Sequence, residues 1–509
     1  MPRRPKGSSF ERRRKPRGSA SRAARAYTGW TPFIFNVLLA SSAHAAEPRS
    51  TPSEVAPSTS PAVEPAAEPN QEPIAPSGEG VTSPPSDVAP APASTPASPP
   101  PQDEPRVPGP EPLEPAPPSV SPSHESEQTD SDRVSSEPSN TWLTKLIPEV
   151  HGFVSQGFIK STDNNYLANS EDGSFEMSEV GLNFTTRITD ELRVGMQLFM
   201  RDLGPIGNYK PQFDWFYLDY RFFDWFGIRA GRTKIPFGLY NEVNDTPSAR
   251  LPILLPQSLY PATARDYLLA QTGIELYGLV PLGVLGALEY RAYGGTIFIP
   301  PNDAIPVLHV PYVIGGRLMW QTPLDGLVVG GTVQDLRLDG TVLLTQAQLE
   351  YYIAQGTLSD GASPLVPLTV PIFMWVGSVQ YTYRSLLLAA EYSRWVSSYS
   401  TFDPPVTAPE TQSERLYGAA AWQWNNWLQT GAYYSLLYPN ANKRQGRENQ
   451  QHDVALTLRF DFNEHFLLKL EGHYMHGTAA LESSLNDGVA NANLVADWGV
   501  FLANTTAYF

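Results

Sequence analysis

Cysteine is absent from all 509 residues. Neither a disulfide nor a thiolate metal site can exist, and the fold must be held by hydrogen bonding and apolar contact alone. Past residue 45 no window of about 18 apolar residues occurs, which excludes helical membrane spans. Lysine is scarce as well: from Thr141 onward only Lys145, Lys160, Lys210, Lys234, Lys443 and Lys469 occur. The signatures of catalysis are missing too, with no His-Glu-x-x-His, no Gly-x-Ser-x-Gly elbow and no glycine-rich phosphate loop. Glu471, His473 and His476 are close in sequence but bring no nucleophile. No enzymatic activity, cofactor or metal is expected.

What is present divides into three unlike parts. Residues 1–45 carry ten basic residues between Arg3 and Arg25, then the apolar run Phe33 to Ala40 and the small-x-small site Ala43-His44-Ala45. That order is the order of a secretory signal peptide. A basic tail for nucleic acid is the rival reading, but the apolar run and cleavage site have no place in it, so no nucleic-acid partner is expected. The arginine pairs lie well before the apolar run, which argues against twin-arginine export.

Residues 46–140 are dominated by Pro, Ala, Ser and Glu, with sixteen acidic against three basic residues. Proline removes backbone donors and the rest offers too little apolar area to offset ordering entropy, so a disordered periplasmic spacer is expected. Extended at ~3 Å per residue it would reach on the order of 250 Å. A tether through the peptidoglycan, an inert linker and a glycosylated stalk all fit this composition.

From Thr141 to Phe509 the chain is rich in Tyr, Trp, Phe and Gly. Apolar and polar side chains alternate over segments of about ten residues, the period of β-strands. Leu192, Val194, Met196, Leu198 and Met200 fall on one side, Arg193, Gly195, Gln197 and Arg201 on the other; Val454 to Phe460 and Phe466 to Tyr474 repeat the pattern. Sixteen such segments can be counted, from 150–160, 174–187 and 192–203 through 226–235 and 270–280 to 466–476 and 496–509. Connections after even-numbered segments are short; those after odd ones are mostly long, including 236–269, 296–311, 338–371 and 477–495. A soluble sandwich has no reason to alternate so, whereas a sixteen-stranded antiparallel transmembrane β-barrel inserted from one face does. Aromatics at strand ends, as in Phe223-Asp224-Trp225 and Trp424-Asn425-Asn426, suit an interfacial girdle.

Lipid offers no partner to backbone N–H and C=O groups, so the sheet must close on itself. An Arg on the lipid side near mid-membrane costs about 2–4 kcal/mol. Arg193, Asp219, Arg229, Glu289, Arg291, Arg317, Glu391, Arg459 and Glu471 are therefore expected to face a water-filled lumen, and the greasy rows the lipid. Phe509 and the aromatic and small residues before it resemble the signal by which outer-membrane barrels are handed to their assembly machinery.

The segment GRTKIPFGLYNE, Gly231 to Glu242, enters the long third loop and resembles the Gly-x-x-x-x-Pro-Phe-Gly-Leu segment of the phosphate-selective porin O and P family. A looser resemblance extends from His151 to Phe509. It implies a sixteen-stranded homotrimeric porin of the outer membrane whose third loop folds into the pore. Residues 141–509 depart from the family in holding 35 acidic against 23 basic residues, so phosphate selectivity is not carried over.

The candidate constriction residues are Arg232, Lys234, Tyr240, Glu242, Asp245, Arg250, Arg265 and Asp266. Both signs are present, which fits a transverse field across a mixed-charge eyelet; pairing among them that only pins the loop to the wall fits equally. Tyr217, Tyr277 and Tyr293 are expected on inner faces, to stack on sugars or pack beneath the loop. The reading is passive diffusion of ions and small hydrophilic solutes. A substrate-specific channel for phosphate, another anion or a saccharide, and a barrel that anchors a cell-wall tether, are its rivals.

Overall fold

The computed structural model describes residues 148–509 apart from 205–206, 300–304, 355–357, 403–404 and 408–409. The export signal and the proline-rich spacer lie outside the described residues.

Eighteen antiparallel strands form a single sheet. In chain order they are β1 (Glu149–Ser161), β2 (Met177–Arg187), β3 (Leu192–Leu203), β4 (Gln212–Phe223), β5 (Phe226–Lys234), β6 (Ala270–Pro281), β7 (Ala287–Thr296), β8 (Val307–Gln321) and β9 (Leu327–Leu343). There follow β10 (Leu365–Tyr383), β11 (Leu386–Ser397), β12 (Ser400–Phe402), β13 (Pro405–Thr407), β14 (Thr411–Asn425), β15 (Leu428–Tyr438), β16 (Gln451–Asn463), β17 (Phe466–Gly477) and β18 (Asp497–Tyr508). The pair β12–β13 is a small flap of three-residue strands, and β11 pairs directly with β14. The remaining sixteen strands make the wall. It closes because β1 lies between β2 and β18: Phe153 is opposite Gly181 on one side and Tyr508 on the other. No wall strand is left with a bare edge, the condition that hydrocarbon imposes.

The two faces sort by polarity. Val154, Leu218, Ile274, Ile314, Leu318, Val333, Phe373, Val454 and Leu456 are exposed on the outside, Leu456 at 58%. Their alternates Gln197, Asp219, Glu275, Thr457, Lys469 and Glu471 are buried within. A soluble sheet would bury the first set, so this is a membrane barrel. Phe223, Trp225, Tyr383, Trp424, Trp427 and Phe462 stand exposed at the short-turn end, where amphipathic rings meet headgroups.

One sector departs from the expected wall. β8, β9 and β10 are longer than their alternation suggests: β8 begins at Val307, β9 runs to Leu343 and β10 begins at Leu365. Prolines obscured the extension; Pro311 sits at a bulge between His309 and Tyr312, where the ladder is interrupted. The inner faces here are apolar as well. Val313, Leu336, Leu338, Val370, Ile372 and Met374 pack with Phe237 and Leu259 of the third loop and with Ile297, Ile299 and Ile305 of the next. Apart from Arg317 on β8, the inward ionised side chains of the described wall lie on its other strands, because in this sector loop rather than water lies against the wall.

Candidate channel site

The third loop, L3 (235–269), joins β5 to β6 and is largely buried: Ile235, Phe237, Leu255, Leu259, Tyr260 and Leu269 are all nearly inaccessible. An irregular segment at membrane depth must find partners for its backbone groups, and the wall supplies them. Glu391 of β11 accepts from Leu239 N at 3.0 Å and from the hydroxyls of Tyr260 and Tyr417. Glu471 of β17 accepts from Ile253 N at 2.7 Å and Leu254 N at 2.9 Å. Lys469 Nζ donates to the carbonyls of Pro247 and Arg250, Arg459 to Ser248 O at 2.7 Å and Arg415 to Ser258 O at 2.7 Å. On β9, Thr332 Oγ1 accepts from Gly238 N and donates to Pro236 O. L3 is therefore laced across the lumen.

Charge along the wall from β3 to β7 alternates in sign from strand to strand, and Glu242 of L3 lies between Arg291 of β7 and Arg317 of β8, which are opposite each other. Arg193 pairs with Asp219 at 2.8 Å, Asp219 with Arg229 at 3.4 Å, and Arg229 with Glu275 at 3.7 Å. Glu275 also meets Arg291, which reaches Glu242 of L3 at 2.7 Å. Glu242 pairs with Arg317 at 2.9 Å, and Arg317 with Glu289 at 2.7 Å. Four arginines and four carboxylates cancel. Burial alone would raise the Glu242 carboxyl, but Arg291 and Arg317 beside it hold it down at about 2.

A second cluster fixes both ends of L3. Lys234 Nζ donates to Asp245 Oδ1 at 2.6 Å, Gln197 to Asp245 Oδ2 at 2.8 Å, and Arg265 Nη2 to Asp214 Oδ2 at 2.7 Å. Asp214 escaped the alternation because the register shifts between Gln197 and Leu198, so Asp214 and Trp215, adjacent in sequence, are both buried in the lumen. Only a bulge does this.

The expected eyelet residues thus separate. Lys234, Glu242, Asp245 and Arg265 are committed to loop-to-wall ion pairs, as are Arg193, Arg229, Glu289 and Arg291 along the wall. Arg232 is corrected: its register partners Phe216 and Thr272 both face outward, so it lies on the outer face, where Nε donates to Asp214 O at 2.8 Å. Tyr240 packs edge-on against Tyr260 at 6.2 Å and near Tyr417. Asp266 falls in the short helix Arg265–Leu268, and its side chain lies outside the described residues. Arg250 differs from the rest. Among the described residues its one ion pair is with Glu179 at 3.7 Å, and it borders two recesses beside L3, one against β2, β3 and β17 and another against β14, β15 and β16. Tyr217 stacks on Trp215 with Arg193 and Arg229 over its ring, Tyr277 donates to Asp219 Oδ1 at 2.5 Å, and Tyr293 is buried against Gln334. Tyr293 is buried, while Tyr217 and Tyr277 are half-buried. Glu179, Asp214, Tyr260, Glu275 and Thr332 were not anticipated; Glu275 alone carried a signal, as the inward alternate of Ile274 and Leu276.

No family model matches the chain. A stretch of 86 residues is 36% identical to a structural polyprotein of avian infectious bursal disease virus, covering 16% of this chain and 8% of that one. Solved structures with a similar course include OmpT expressed in the outer membrane of Vibrio cholerae, at 11% identity over 71% of this chain and 97% of that one, TM-score 0.47. An anion-selective porin from Comamonas acidovorans is similar at 11% identity, 71% and 99% coverage and TM-score 0.44. The outer-membrane channel DcaP of Acinetobacter baumannii is similar at 10% identity, 71% and 97% coverage and TM-score 0.44.

Proposed function

We propose that the chain is an outer-membrane porin through which ions and small hydrophilic solutes diffuse passively, with L3 as its constriction. One observation carries the reading: a closed wall, oily without and mostly ionised within, has a long loop turned into its lumen. Short turns and both described ends on one side fit insertion with that side in the periplasm, the spacer 46–140 beyond it. Homotrimer formation and delivery by the assembly machinery through Phe509 belong to the same proposal, as does kinship with the phosphate-selective porins. The dense fastening of L3 favours a narrow pathway over a wide one, and keeps the substrate-specific channel as the second reading.

Planar-bilayer recording separates the readings. Stable open steps are expected; silence from folded protein would leave the anchoring role. Arg250→Glu is expected to shift the anion-to-cation permeability ratio toward cations, on the order of twofold, by reversal potential in asymmetric salt. An unchanged ratio would move the constriction away from Arg250. Arg265, 3% exposed and paired with Asp214, is expected to tune nothing and to loosen L3 when replaced.

A further inference from the structure

The recess beside β14, β15 and β16 is carbon-lined in an otherwise polar stretch of lumen. Register sets Leu387 opposite Ala421 and Ala421 opposite Gly431; in the next row Ala389 is opposite Ala419 and Ala419 opposite Tyr433. Facing these rows are Leu251, Pro252, Leu255 and Pro256 of L3. Leu251 lies close over Gly431, where a Cβ would come 2.3 Å from Leu251 Cδ2 and the leucine would have to move. Small residues on the wall leave a space of about 770 Å³, including its open mouth, that L3 does not fill.

Arg250 closes one side of this space. Its side chain is only 10% exposed, its Nη1 donates to Ile253 O, and its Nε is buried with no hydrogen-bond partner. A guanidinium whose carboxylate partner is as far as 3.7 Å is incompletely neutralised, and a guest carboxylate in the recess supplies the missing charge. Arg459, at the same recess, is already held by both oxygens of Asp461. Thus one cation without a close carboxylate stands against an apolar surface.

We infer that this recess is a solute subsite for a compact organic anion, an aromatic or branched aliphatic monocarboxylate. Its carbon body lies against the alanine rows and its carboxylate accepts from Arg250. Inorganic phosphate has no body for the rows, and a sugar would set hydroxyls against them without partners. The inference deepens the porin reading and takes its biological sense from it, but binding itself does not require conduction.

Calorimetric titration of the full-length protein, folded in detergent, tests it with benzoate, acetate and benzyl alcohol. Benzoate should bind at least about tenfold more tightly than acetate, which lacks the body, or benzyl alcohol, which lacks the charge. Ala419→Leu, which fills the recess and leaves Arg250, and Arg250→Gln, which keeps the recess and removes the charge, should each weaken benzoate about tenfold. Ala421→Val replaces Ala419→Leu where circular dichroism shows misfolding. Equal binding of benzoate and acetate, no benzoate binding, or indifference to the filling variant overturns the subsite. Conductance is read separately: folded protein that binds benzoate but does not conduct defeats the porin reading alone, and a channel that fails to distinguish the three probes defeats the subsite alone.

Discussion

Glu471 does at one residue what L3 needs at every turn of its path: it offers acceptors to main-chain donors that cannot reach water. Glu471→Ala would strand the N–H groups of Ile253 and Leu254 at about 1–3 kcal/mol each. Hydrogen exchange at those two amides should quicken tenfold or more, roughly; unchanged exchange would mean other contacts hold the loop. That Glu471 faces inward was legible, since it alternates with Leu470 and Gly472. That it grips residues 217 and 218 positions away was not, because no local pattern encodes a long-range bond. A different carboxylate makes a pH-dependent case. Glu482, in the last loop, is 8% exposed with Oε2 buried and unpartnered, and burial pushes its carboxyl up from 4.5 to about 7. Its contribution to packing of that loop is fully present below pH 4.5 and is lost as pH rises through about 7. Proteolysis of 478–496 should therefore accelerate across that window, and Glu482→Gln should flatten the dependence; a flat wild-type profile would contradict it.

Among elements, the wall strands were the readable part and L3 the unreadable one. Period two survives wherever one face meets lipid and the other water, so 192–203 and 466–476 stand almost where expected. It fails where both faces are apolar, as in the stretch LVPLTVPIFMWV of β10, whose inner side packs on loop. The candidate loop residues left two uses open: a chain of alternating signs reads as an eyelet or as a clasp, and only distances show which of them pair. Removing 248–258 keeps Glu242 on Arg291 and Arg317 and Asp245 on Lys234, yet takes away the part of L3 that lies over Lys469 and Glu471. Single-channel conductance should rise severalfold, roughly, as the lumen widens. An unchanged step would place the narrowest point elsewhere.

For the molecule as a whole, net charge is a poor guide to what passes through it. Residues 141–509 carry a net of −12, but the charges from β3 to β8 cancel in place, leaving the local field to less committed groups such as Arg250. The wall and loop contacts described above all lie within residues 148–509, and deletion of 46–140 is expected to leave conductance intact; loss of conductance would make that segment part of the pore. The seam between β1 and β18 has a further consequence. β18, the last described strand, is the neighbour of β1, the first, so the ring cannot be completed until both are in place. A sheet short of that last pairing is a ribbon with two adhesive borders, each a template for pairing with another chain.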